Sequence, residues 1–126
     1  EISACLVGSE MCIRDSDSIE KFKTDKMFDV IVSNPPYIPI SDKKLVDSLV
    51  LDNEPKTALF TQDDPLYFYR QILVFAKKNL NEGGRIYLEI NDLYVNEVLD
   101  LFQGYNPESM RDFYGKNRFI ICNTGK

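Results

Sequence analysis

The 126-residue sequence has no histidine. That excludes imidazole acid–base catalysis and imidazole metal ligation. Cysteine is scarce: Cys5, Cys12 and Cys122 have the spacing of neither a zinc site nor a redox pair, so no metal is expected. No apolar run is long enough to span a bilayer. The N-terminus does not read as a signal peptide, because Glu10, Arg14 and Asp15 break up its short apolar stretches. The expectation is a cytoplasmic, soluble domain with no membrane partner. An excess of positive charge is also lacking. Fifteen Lys and Arg face twenty Asp and Glu, a formal net charge of −5, whereas a dedicated nucleic-acid module is usually basic. No direct nucleic-acid partner is expected.

What is present is ordinary globular composition, with 44% hydrophobic and 28% charged residues, so the chain is neither disordered nor fibrous. It is long enough to bury a core within one domain or part of one. Residues 1–16, EISACLVGSEMCIRDS, show neither helical nor strand periodicity. CLVGSEMCIRDS resembles the translation of a sequencing-adapter read-through. We therefore read residues 1–16 as a non-native artefact, in preference to a strand and turn over Ala4–Ser9, and begin the domain near Asp17 (residues 17–126).

The remainder alternates strand and helix. Asp17–Lys26 is polar and reads as a short helix or a surface loop. Phe28–Val32 is short, rich in β-branched residues and almost wholly apolar, as a strand buried on both faces should be. Pro35 and Pro36 end it, since proline cannot donate to a ladder. Residues 38–63 are irregular, with a helical turn or two over Lys43–Leu51, and a loop this long inside a domain is usually functional or mobile. Asp64-Pro65 marks a helix start, with Asp64 as N-cap and Pro65 in the first turn. Leu66, Tyr69, Ile72, Leu73, Ala76 and Leu80 then follow at helical spacing. Gly83-Gly84 closes that unit. A strand is expected over Arg85–Ile90 and a second helix over Leu93–Gln103, stopped by Gly104. Two further strands flank a hairpin turn at Tyr114–Asn117. Such alternation predicts an α/β fold with a largely parallel sheet and a terminal antiparallel hairpin.

In open α/β sheets ligands bind beyond the carboxyl ends of the strands, and Asn34-Pro35-Pro36-Tyr37 sits at such an end. An amide or aromatic amino nitrogen is a weak nucleophile because its lone pair is delocalised. The Asn34 side-chain oxygen and the Pro35 carbonyl can each accept one N–H of an NH2 group, which aims the lone pair and meets the charge developing on nitrogen. Proline keeps these carbonyls fixed, and Tyr37 can stack on a flat amide or base. Glu89, at the end of a later strand, can reach this edge, but no second carboxylate pairs with it for acid–base work.

FDVIVSNPPYIP resembles motif IV of class I methyltransferases of the N5-glutamine and N6-adenine type. Asn53-Glu54-Pro55 with Ala58-Leu59-Phe60 resembles an element of the release-factor glutamine methyltransferases (the HemK type). So do Asp64-Pro65-Leu66, Gly83-Gly84, Glu89-Ile90-Asn91 and the terminal Arg111-Asp112…Gly115-Lys116-Asn117-Arg118. The resemblance runs from about Phe28 to Asn123. It implies the C-terminal half of a Rossmann-like sheet ending in an antiparallel hairpin, with S-adenosylmethionine as cofactor. The implied reaction is methylation of the side-chain amide of the glutamine in the Gly-Gly-Gln loop of a peptide-chain release factor. It assigns Asn34 and Pro35 a catalytic role, Asn34 to Tyr37 the glutamine, and Asn34 a cofactor contact, with Glu54 and Pro55 as buttresses.

The sequence departs from that family in having no glycine-rich cofactor loop upstream of Asn34, Gly8 being the only glycine before Gly83. The family's helical recognition domain is absent as well. The expectation is half a site, inactive alone, with Val30–Val32 as an exposed apolar edge. The rival reading is an N6-adenine methyltransferase acting on DNA or RNA by base flipping. A different class is a non-catalytic α/β interaction module with a chance NPPY; the flanking elements disfavour it.

Overall fold

The computed structural model of the chain describes residues 17–36, 38–39, 60–61 and 64–125. The segment read as an artefact, the Lys43–Leu51 turn and Tyr37, Glu54 and Pro55 lie outside the described residues.

The elements are β1 (Phe28–Ser33), β2 (Ile38–Pro39), β3 (Phe60–Thr61), α1 (Tyr67–Asn79), β4 (Leu80–Glu89), α2 (Val95–Leu101), β5 (Glu108–Arg111) and β6 (Asn117–Asn123). Single 3₁₀ turns at Asp92–Tyr94 and Gln103–Tyr105 bracket α2. Four strands form one sheet in the order β1-β4-β6-β5. β1 and β4 run parallel, whereas β6 is antiparallel to both β4 and β5. The expected α/β architecture with a terminal hairpin is present, but the sheet is mixed rather than largely parallel: only β1–β4 is a parallel pair, and β6 is inserted between β4 and its own hairpin partner. β2 and β3 form a separate short parallel pair, Ile38 opposite Phe60 and Pro39 opposite Thr61.

Alternation along the strands sorts the two faces of the sheet. Ile86 and Leu88 of β4 and Ile120 and Cys122 of β6 point to one side, where they form a single core with Tyr69, Ile72 and Ala76 of α1 and Val98 and Phe102 at the α2 end. Cys122 is wholly inaccessible, as expected of a small buried hydrophobe, and burial pushes its thiol up to about 12. The Tyr69 hydroxyl donates to the Glu89 carbonyl at 2.9 Å, tying α1 to the carboxyl end of β4.

Several boundaries differ from the sequence reading. Regular helix begins at Tyr67 because the first turn is tighter: the Tyr67 N–H donates to the Asp64 carbonyl, an i→i+3 bond. Asp64 is therefore not the N-cap, a place taken by Leu66 with no side-chain cap; its Oδ1 instead accepts the Leu66 N–H at 2.9 Å and closes the turn before the helix. β4 extends back to Leu80, with the register slipping between Phe28–Leu80 and Val30–Arg85 to accommodate Gly83 at φ +77°. The second helix is shorter than expected, and Gly104 does not stop it by turning left-handed. That conformation falls to Asn106, at φ 45°. Asp17–Lys26 is a turn followed by extended chain, anchored where the buried Asn79 amide donates to the carbonyls of Thr24 and Lys26 at 3.0 and 2.8 Å. β1 is not buried on both faces: Val30 is 50% and Val32 74% exposed. Among the described residues it is an edge strand, with one face open.

Candidate functional site

β1 stops at Ser33, which lies opposite Leu88. One residue further, Asn34 arrives beside the carboxyl end of β4, and the two following prolines have no N–H with which to continue the ladder. Pro35 is buried, Pro36 half-buried and Asn34 exposed. Local sequence thus presents a primary amide at the strand end while its proline neighbour is packed into place. Of the six residues singled out from sequence, the structure places Asn34, Pro35 and Pro36 together.

Asn34 shares a concavity of about 420 Å³ with Val32 of β1, Tyr87 and Glu89 of β4, Phe119 and Ile121 of β6 and Met110 of β5. These residues lie on the face of the sheet opposite the helical core. The sequence carried a signal for this lining, namely the alternation of Tyr87 and Glu89 with Ile86, Leu88 and Ile90, but alternation alone does not say that the second face is a hollow. The lining is largely apolar, with Ser33, Asn34 and Glu89 as the polar residues at the strand ends. A flat group can lie against such a wall while an amide oxygen holds its N–H.

The same edge is fixed by a polar lock. Asp92 Oδ1 accepts the Asn117 backbone N–H at 3.0 Å and its side-chain Nδ2 at 2.8 Å. These two hydrogen bonds hold the Asp92 carboxyl below its ordinary range. The Ile90 N–H donates to the Arg118 carbonyl, so the start of β6 is stitched to the end of β4 beside the concavity. Among the described residues no group of acidic or sulfur side chains can hold a metal ion. No helix among them is long and apolar enough to cross a membrane.

A class I methyltransferase cofactor would need a glycine-rich turn upstream of Asn34, and no glycine precedes Asn34 among the described residues, so they do not by themselves fit S-adenosylmethionine.

Comparison with known families decides the kinship. Residues 8–119 match the family model described as Eco57I restriction-modification methylase. The chain belongs to that methylase family. The chain is also similar to the release factor glutamine methyltransferase of Flavobacterium psychrophilum, with 43% identity over 100 residues, 76% of this chain and 35% of the relative. The namesake enzyme of Bacteroides thetaiotaomicron is 39% identical over 76% of the chain and 36% of its own length. A protein of Rickettsia felis named bifunctional methyltransferase is 44% identical over 75% of the chain and 18% of its own length. The resemblance to release factor glutamine methyltransferases expected from the motifs is therefore present. The chain spans about a third of the length of the first two of these relatives.

Proposed function

We propose that this chain carries the acceptor-side half of a methyltransferase site, and that the site methylates the side-chain amide nitrogen of a glutamine in a peptide-chain release factor. The observation that carries the reading is Asn34 set at the carboxyl end of β1, over an apolar wall, in a chain 36–43% identical to several proteins named release factor glutamine methyltransferase. The reaction takes place in the cytoplasm, where release factors work.

S-adenosylmethionine supplies a methyl group already activated on a sulfonium. The chain's residues supply position. The Asn34 oxygen and the Pro35 carbonyl accept the two amide protons of the target, turning its nitrogen lone pair toward the donor. Both dipoles would meet the positive charge that grows on nitrogen as the N–C bond forms and the S–C bond breaks, after which one amide proton would pass to water to leave the neutral N-methyl amide. The family resemblance assigns Tyr37 to the target glutamine as well, and Glu54 and Pro55 a supporting role. With Gly8 as the single glycine before Asn34, these 126 residues are proposed to be inactive by themselves and not to hold the cofactor. Residues 1–16 are no part of this site.

A second reading has one specific observation in its favour: the matching family model is described by a restriction-modification methylase. Adenine N6 is also a conjugated NH2 and suits the same two acceptors. The acidic total charge and the names of the relatives favour glutamine. Titrating ¹⁵N-labelled chain with a Gly-Gly-Gln tripeptide and, separately, with adenosine distinguishes them. Saturable shifts at the Asn34 side-chain amide with the tripeptide alone support the glutamine reading; shifts with adenosine alone support the second. In parallel, calorimetric titration with S-adenosylmethionine should show no binding, and one-to-one binding in the micromolar range would mean the cofactor site is complete.

A further inference from the structure

The β5–β6 turn carries Phe113 and Tyr114 with essentially full exposure, 107% and 89%. Two adjacent aromatic side chains held in water are unusual unless a partner covers them. They do not dangle from a loose loop. Asp112 organises the turn: its Oδ1 accepts the N–H groups of Tyr114 and Lys116 at 2.9 and 3.1 Å, and its Oδ2 accepts the Arg118 guanidinium at 3.2 Å. Its own N–H donates to the Lys116 carbonyl, and Gly115 takes φ +78° to let the chain reverse. The aromatic pair is thus presented on a preorganised tip, which lowers the ordering cost of docking.

The position of the tip matters. β6 begins at Asn117, which is locked to Asp92 just beyond β4, and Phe119 lies opposite Glu89. The turn therefore projects from the same carboxyl edge as Asn34. Arg118 is committed to Asp112, whereas Arg111 and Lys116 are exposed and form no ion pair among the described residues. We propose that the Phe113–Tyr114 tip, flanked by Arg111 and Lys116, is a docking surface for the protein substrate of this site. The surface it fits is an apolar patch bordered by acidic side chains, near the glutamine-bearing loop. The occupant is a protein, as the glutamine reading of Asn34 requires, and Arg111 and Lys116 are the cations left to meet its acidic border, Arg118 being held by Asp112. The inference rests on the glutamine reading of Asn34 and adds a second contact that a short peptide cannot reach.

The test uses the full chain and a purified bacterial release factor as probe. Phe113→Ser/Tyr114→Ser weakens binding of the factor roughly tenfold or more, as loss of aromatic anchors does, and leaves the Gly-Gly-Gln tripeptide shifts at Asn34 unchanged. The chain has no tryptophan. Tyr114→Trp labelled with 5-fluorotryptophan therefore gives a single ¹⁹F line, which moves on adding the factor and not on adding duplex DNA. Equal binding by the double variant, no binding of the factor by the parent chain, or a line moved by DNA alone overturns the docking surface. Loss of the tripeptide shifts with docking intact would instead overturn the glutamine reading and leave the surface standing.

Discussion

Among the described residues Asn79 is the one polar residue in the buried set, and its amide reaches two carbonyls of a single segment, 55 and 53 residues away in sequence. Truncation to alanine leaves the Thr24 and Lys26 carbonyls without this donor. Two hydrogen bonds of this kind are worth about 1–3 kcal/mol together. Asn79→Ala should therefore lower the thermal midpoint and detach the Phe22–Phe75 and Phe28–Phe75 ring contacts, which are 5.8 Å between centroids in each case. Differential scanning calorimetry with aromatic NMR shifts checks this; an unchanged midpoint would show the anchor to be dispensable. Nothing in the sequence marked Asn79, because its partners lie far away in the chain. Asn34 was legible for the opposite reason: strand, amide and two prolines lie within a few residues of one another.

At the scale of the element, the hairpin turn carries a pH dependence. Burial raises the Asp112 carboxyl, but hydrogen bonds from the Lys116 and Tyr114 N–H groups and the Arg118 guanidinium outweigh it and bring it below its ordinary value. A carboxyl depressed in the folded state stabilises the fold above its unfolded value, near 4. That contribution is lost as pH falls through the lower, folded value. The Tyr114 and Lys116 amides should stay protected from exchange at pH 5 and lose protection well below pH 4, before the β4–β6 amides do. Simultaneous loss would contradict a locally organised turn. This turn was readable from Gly115 and its polar neighbours, and α1 from its spacing of apolar residues. The end of α2 was not, because Gly104 and Asn106 compete for the reversal and packing of Phe102 into the core settles it. Nor did the apolar run of β1 reveal that one of its faces is open, since composition gives hydrophobicity but not what covers it.

For the whole molecule, that open face dominates. Val30, Val32, Met110 and Phe119 are between 43% and 74% exposed on a sheet whose other face carries the helical core. Apolar surface of this kind associates or binds apolar probes. The chain should bind bis-ANS without denaturant and sediment as concentration-dependent species, and Val32→Lys should reduce both. A monodisperse, dye-silent monomer at high concentration would show the face to be covered. The kinship with much longer relatives also sets the most direct test of the central claim, which concerns Asn34. In the Flavobacterium psychrophilum enzyme, the 100 residues that match can be replaced by those of this chain, and the chimera incubated with S-adenosylmethionine, a release factor and, separately, adenine-containing duplex DNA. Mass spectrometry of the products reads the outcome. One added methyl group on a release-factor glutamine is expected, with a fall in kcat of about a hundredfold or more on Asn34→Ala. A folded chimera that methylates adenine instead, or whose glutamine activity survives Asn34→Ala, would contradict that claim.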